Sequence, residues 1–537
     1  MEGEKQGWQA TAAKKKQIQK NLLSQHANYE TRGSQCANPS NPAGVEAFDE
    51  LVAKLSRGEL SCEDVVKEYI YRACKAHEKT NCLTEILFDN ALQRAKELDS
   101  HLLEHGRPLG PLHGIPVTLK DQFDVTGVDS TIGYVGRSFN PATRDSALVE
   151  MLQSLGAIVM AKTNLPQSIM WCETENPLWG LTTNPFHSDY TPGGSTGGEA
   201  ALLASGASVL GWGTDIGGSI RIPSHMMGLY GFKPSSARLP YRGVPVSTEG
   251  QEHVPSSIGP MARSLDAIHA AFKSVVELKP WDFDARCAAI PWREDIYRDA
   301  IKRPLVVGVL FDDEVVRPHP PITRVLHSAV DALRAAGHHI VDWNAQLHAE
   351  CVQLMDQFYK VDGGEDIREA MKAGGEPFIP HVQKLVQCGE PLSVFQYWQL
   401  NRRKWELQQQ YLEKWNATRC NQSNQPVDVV IMPPMPHTSV LHRSCRWVGY
   451  TKVWNVLDYP AIVIPGGSVR DQDVHSNWSF EPRNALDEWN KNLWENCKGV
   501  MASLELPVGV QIIGRRYGDE MVLAAAKVLD DVLRTPT

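Results

Sequence analysis

Two stretches of the chain set serines where they could do chemistry: Pro192-Gly193-Gly194-Ser195-Thr196-Gly197-Gly198-Glu199-Ala200-Ala201, and Gly213-Thr214-Asp215-Ile216-Gly217-Gly218-Ser219-Ile220-Arg221-Ile222-Pro223-Ser224. Glycines before a serine allow positive φ and close backbone approach, so that successive N–H groups can converge on one point. Beside a nucleophile that convergence makes an oxyanion hole. A serine hydroxyl is a weak nucleophile at neutral pH and needs a base within hydrogen-bond reach. Lys120 closes the apolar run Ile115-Pro116-Val117-Thr118-Leu119, where burial lowers an amine's pKa and lets a neutral lysine accept a proton. No Asp and His partners of the α/β-hydrolase kind are evident for these serines, and no Gly-Lys-Ser/Thr phosphate loop follows the glycines.

Blander readings compete at each position. A single Gly-Gly-Ser is ordinarily a turn; two of them together with Lys120 are not explained that way. A carboxylate close to a base lysine would keep it charged, so Asp121 is expected to turn away or to satisfy backbone donors. Cys172 reads as a small buried hydrophobe rather than a reactive thiol. His113 lacks an Asp partner and reads as structural. The tryptophans, Trp398, Trp405 and Trp415 among them, read as core or groove lining.

The elements that must position these residues follow from periodicity. Helical spacing begins at Val45 to Leu55, a Ser61/Asp64 capping box opens a second helix, and a third covers about Asp89 to His105. Beyond Gly114, short β-branched runs alternate with helical segments: strands at 115–119 and 157–160 flank a helix at 146–155. Further strands are expected at 305–310, 427–432, 461–464 and 508–513, and a closing helix at 520–533. Such alternation predicts an α/β fold with a mixed sheet covered by helices on both faces. Residues 340–425, rich in Trp, Gln and charge, read as a helical insertion. Residues 1–44 read as an N-terminal arm and linker, helical and solvated around Lys14 to Leu23 and Gly/Ser/Asn/Pro-rich from Gly33 to Gly44. No composition break divides residues 45–537, so these form one domain.

Composition narrows the function classes. The 54 basic and 63 acidic residues leave a net charge of -9, which offers no footprint for nucleic acid or an anionic membrane and fits a small neutral substrate. The 11 cysteines include no CxxC pair, so neither a disulfide framework nor a zinc site is indicated. The polar N-terminus lacks the apolar run of a secretory signal, and no apolar stretch reaches the ~20 residues of a bilayer span. A soluble, cytoplasmic protein is expected.

Together, the lysine segment and the two Gly-Gly-Ser segments resemble the amidase signature family, from about residue 45 to the C-terminus. Gly110-Pro111-Leu112-His113-Gly114, Arg238-Leu239-Pro240-Tyr241, Pro291-Trp292 and Gln511-Ile512-Ile513-Gly514-Arg515-Arg516 are most similar to its fungal acetamidase-like group. The resemblance implies the amidase signature fold, with Ser219 as nucleophile, Ser195 as bridging serine and Lys120 as base. It further implies oxyanion N–H groups from Ile216, Gly217, Gly218 and Ser219, and acyl contact at Ile169. Thr196 stands where the family more often has serine and keeps a hydroxyl; Asp215 and Arg221 would buttress the loop. The implied reaction is hydrolysis of a small to medium carboxylic amide through an acyl-enzyme, with no metal or cofactor. The partner is a small-molecule amide rather than nucleic acid, and a homodimer is left open. The alternatives are a fatty acid amide or N-acylethanolamine hydrolase, a transamidation subunit acting on charged tRNA, and a non-catalytic binding relative.

Overall fold

The runs expected to be strands are strands in the computed structural model, which describes residues 5–26 and 47–534. In chain order the strands are β1 (Leu83–Ile86), β2 (Pro116–Lys120), β3 (Ile158–Thr163), β4 (Glu175–Asn176), β5 (Gly180–Leu181), β6 (Leu210–Asp215), β7 (Tyr230–Lys233), β8 (Ser257–Ala262), β9 (Val306–Val309), β10 (His339–Asp342), β11 (Val429–Met432), β12 (Ala461–Ser468) and β13 (Pro507–Ile513). All but the β4–β5 hairpin form one 11-stranded sheet, ordered β1-β3-β2-β6-β8-β7-β12-β13-β11-β9-β10. It is mixed: β3, β2 and β6 run parallel, β6 through β11 alternate antiparallel, and β11, β9 and β10 are parallel again. Successive strand residues face opposite sides. Because β2, β6, β8, β9 and β11 are buried at every position, helices cover both faces of the sheet. The fold is a single α/β domain of the expected class.

Three interior strands escape the sequence pattern, namely β6, β7 and β8, because glycine and proline interrupt their apolar runs. In β6 (Leu-Gly-Trp-Gly-Thr-Asp) the glycines have a purpose. A Cβ on Gly211 would lie 2.3 Å from the Glu199 carboxyl, and one on Gly213 would lie 2.7 Å from the Thr196 methyl. The helix Gly197–Ala204 therefore rests directly on this strand.

The helices are where periodicity places them, at Phe48–Ser56, Cys62–Thr80, Phe88–His105, Ala147–Ser154 and Asp519–Arg534. Ser61 Oγ accepts the Asp64 N–H at 3.0 Å, capping the second of these. The insertion is helical at His348–Phe358, Glu365–Gly374, Pro380–Val386 and Val394–Ala417. On the last of these, Leu407, Tyr411 and Trp415 form the buried stripe, whereas Trp398 and Trp405 are 63% and 64% exposed. The expectation that these two line core or groove is corrected: seven residues apart, they share the helix face opposite the buried one.

The arm also differs from its expectation. Helix Lys5–His26 is present, but it is docked rather than solvated: Ala12, Lys15, Gln19 and His26 are buried. Gln19 Nε2 donates to the Leu83 and Thr84 carbonyls at 2.8 and 2.9 Å, so the arm covers the sheet's open edge at β1. Lys15 Nζ bonds Glu85 and, at 2.8 Å, Asp129. The expected linker, Gly33 to Gly44, lies outside the described residues.

Lys15→Met would leave two buried carboxylates without their cation, which costs about 3–5 kcal/mol while the arm stays docked. Undocking caps that loss. The variant should show tryptic cleavage within residues 5–26 accelerated by ~10-fold; protease resistance equal to the parent's would count against docking through Lys15.

Candidate active site

Parallel pairing of β2 with β6 aligns Leu119 with Trp212, so both strands end side by side. Lys120 is the last residue of β2, and the loop carrying Ser219 leaves the end of β6. Carboxyl ends of adjacent parallel strands are where open α/β sheets build their sites. Ser195 enters this corner from the turn before helix Gly197–Ala204, on a cis Gly194–Ser195 peptide. The structure thus brings together residues that lie up to a hundred positions apart.

Lys120 has no exposed surface. Its Nζ lies 2.6 Å from Ser195 Oγ and 3.0 Å from Thr214 Oγ1. Burial pulls the amine down to about 7, against the opposing influence of the Asp215 carboxylate. Asp121 points elsewhere, as expected. It accepts the Thr84 and Thr131 hydroxyls at 2.8 and 2.7 Å and the N–H groups of Thr131 and Ile132 at 2.9 Å.

Asp215 organises the loop that carries Ser219. Its carboxylate accepts the Gly218 N–H at 2.9 Å and the Ile220 N–H at 3.1 Å, and Arg221 grips it through Nε and Nη2 at 3.0 and 2.9 Å. Burial opposes its charge, but the Arg221 guanidinium prevails and holds the acid far below the usual carboxylate range. The Gly218 N–H, one of the four expected to serve an oxyanion, is taken up by the Asp215 carboxylate. Gly218 has φ +132°, and a Cβ there would lie 2.3 Å from Thr451 Oγ1. Thr196 is buried, with its hydroxyl 3.5 Å from the Thr214 carbonyl, and its methyl occupies the space that Gly213 leaves open.

Ser195, Ser219, Ile216 and Ile169 all line one cavity of about 560 Å³, together with Met170, Thr214 and Tyr241. Ile169 and Ser168 both have positive φ, 58° and 65°, a strained pair that turns Ile169 toward the cavity. Trp171 does not join them; it stacks on His381 of the insertion at 3.9 Å. His113 accepts the Leu109 N–H at 3.1 Å and is structural. Cys172 is a buried free thiol whose sulfur meets that of Cys445 at 2.7 Å.

Sequence reasoning passed over several participants. Thr214 adjoins Lys120 and Gln122 adjoins Thr214, and Thr451, Asn455 and Gln511 hold Arg221 from more than two hundred residues away. Glu199 carried a signal, being a lone acid in a helix of small residues. Burial raises it to about 8, and it accepts hydroxyls from Thr118 and, at 2.9 Å, Thr163.

An α/β sheet that presents a buried amine and two serines at its strand ends defines a class of hydrolases rather than a binding module. The sequence model of the Amidase family matches residues 64–523, and the chain belongs to that family of amide-hydrolysing enzymes. It is 51% identical to Amidase 1 of Gibberella moniliformis over 92% of this chain and 95% of that one. With an acetamidase of Aspergillus oryzae it shares 36% identity over 90% of this chain and 89% of the relative. Among solved structures, a fatty acid amide hydrolase superposes with a TM-score of 0.82 at 32% identity, covering 90% of this chain and 84% of that one. Among the described residues, no helix is long and apolar enough to cross a membrane.

Gly218→Ala meets both an unfavourable φ and the Thr451 hydroxyl. It should lower kcat/KM by at least ~10²-fold through displacement of the loop that carries Ser219, with only a small change in Tm. Near-parent activity would show that the loop does not depend on this glycine.

Proposed function

We propose that the chain hydrolyses small to medium carboxylic amides through an acyl-enzyme on Ser219. The observation that carries this reading is the Lys120–Ser195 contact of 2.6 Å, with the amine buried and held at about 7. Neutral Lys120 takes the proton of Ser195 as Ser195 takes that of Ser219, whose oxygen attacks the amide carbonyl. N–H groups of Ile216, Gly217 and Ser219 receive the developing oxyanion. The relay then reverses, the proton reaches the departing nitrogen as its bond to carbon breaks, and water repeats the cycle on the ester. Asp215 and Arg221 act by fixing the loop, and Ile169 contacts the acyl group.

A base must be neutral to act, so kcat/KM should rise with pH through about 7 and level off above it. Ser219→Ala should lose at least ~10³-fold of activity and all labelling by a fluorophosphonate. Lys120→Ala should be weakest near neutrality and recover as hydroxide rises. A Lys120→Ala enzyme with the parent's rate and pH profile would refute the relay, and a Ser219→Ala enzyme that still takes the label would move the nucleophile to Ser195.

The second reading, a long-chain amide substrate, is supported by the similarity to the fatty acid amide hydrolase and by a cavity far larger than an acetyl group. A panel from acetamide through benzamide to oleamide separates the two. On the first reading kcat/KM peaks at short or aromatic acyl groups, and a peak at oleamide establishes the second.

A further inference from the structure

A neutral lysine carries two N–H bonds and one lone pair, and it works as a base toward Ser195 only when the lone pair faces that hydroxyl. Both hydroxyls within reach of Lys120, on Ser195 and Thr214, can donate or accept. Something must break that symmetry, and a chain of hydrogen bonds leading away from the amine does so. Gln122 Nε2 lies 3.2 Å from the Pro245 carbonyl, which can only accept, so the side-chain amide is oriented with its oxygen on the other side. That oxygen lies 2.6 Å from Thr214 Oγ1 and takes the threonine's single proton. Thr214 is then left to accept, and it takes an N–H of Lys120 across 3.0 Å. With the Thr214 proton committed to Gln122, the Ser195 hydroxyl, 2.6 Å away, is the one of the two that can offer a proton to the amine's lone pair.

We infer that Gln122 is a positioning residue for the reaction: it touches no substrate and acts by fixing the direction of the Thr214 hydroxyl and hence the lone pair of Lys120. This inference rests on the relay reading given above. After proton transfer the ammonium has three N–H bonds. One returns to Ser195, and the Thr214 oxygen already faces another, so the protonated state requires no reorientation along the chain. Gln122 and Thr214 are both buried, which keeps water from substituting freely for either.

The charged surroundings are few. Asp215 raises the lysine's proton affinity and is itself bound by Arg221 and faced by Lys233. The Tyr241 hydroxyl, beside Ser256, Gln122 and Thr214, is pushed up to about 12 by burial and stays neutral in the working range. Asp121 is engaged with Thr84 and Thr131.

The test is a set of four variants measured for kcat, KM, fluorophosphonate labelling rate and pH profile. Gln122→Met keeps the side chain's bulk and removes the acceptor. It should lower kcat and labelling by ~10-fold with KM within about twofold of the parent. Thr214→Val should do the same, and the double variant should be no worse than the poorer single one, because both break one chain. Gln122→Glu keeps an acceptor but adds a carboxylate one hydroxyl away from the amine, so the ascending limb should move to higher pH by ~1 unit and activity should recover above it. Gln122→Met with parental kcat, independent losses that multiply in the double variant, or an unmoved limb in Gln122→Glu would each overturn the inference. Should Gln122→Met fail to fold, the pH limb of Gln122→Glu decides. Lys120→Ala distinguishes the levels: if it keeps the parent's pH profile the relay itself fails, whereas its collapse beside an unaffected Gln122→Met sinks only the role of Gln122.

Discussion

An amine with no exposed surface, held between two hydroxyls at the end of a buried strand, is the constraint on which the rest of the structure depends. An ammonium in that position lacks water and a full counter-charge, so burial favours the neutral form and brings Lys120 to about 7. The surroundings are consistent with this. Asp121, its chain neighbour, is turned to backbone and hydroxyl donors on the far side. The one carboxylate acting on the lysine, Asp215, is gripped by an arginine. Buried Glu199 nearby is raised to about 8 and so carries a proton at neutral pH. A carboxylate set against the amine without such partners would hold the lysine charged.

The Asp215–Arg221 pair shows how the loop is held from the rest of the fold. Both side chains are completely buried, and the desolvation of such a pair is recovered only when the remaining donors and acceptors are satisfied. They are satisfied here: the guanidinium also donates to the Thr451 carbonyl, Gln511 and Asn455 at 3.1, 2.8 and 2.7 Å, and Asn455 returns a bond to Asp215 at 2.9 Å. These partners come from β13 and from the helix Gly449–Val456, so the C-terminal third of the chain fixes a loop that the first half encodes. Ile169 packs in a small apolar cluster with Ile132, Tyr134 and, from the insertion, Ile367, Met371, Ile379 and Val382, so the insertion packs against the segment that carries Ile169.

Much of this was legible in the sequence because it is local. Two glycine-serine segments and a lysine closing an apolar run together suggest backbone proximity and a burial-tuned amine, and β2, β9, β11, most of β3 and β13 and the first half of β12 are buried on both faces and read as largely apolar runs. Strands β6, β7 and β8 were not legible, since glycine and proline in them answer to neighbours the sequence does not display. Nor was the docking of the arm: Lys15 looks like any solvated helix lysine until Glu85 and Asp129 are placed beside it.

The sequence by itself therefore determined the class of fold and the family of chemistry, because each depends on residue type within a few positions. Tertiary structure alone decided that the Gly218 N–H is claimed by a side chain three residues away whose direction is set by Arg221. It also decided the orientation of the base. Gln122, Thr214 and Lys120 become a directed chain only when parallel pairing of β2 with β6 brings their ends within hydrogen-bond distance, and hydrogen-bond direction depends on spatial neighbours rather than on sequence order.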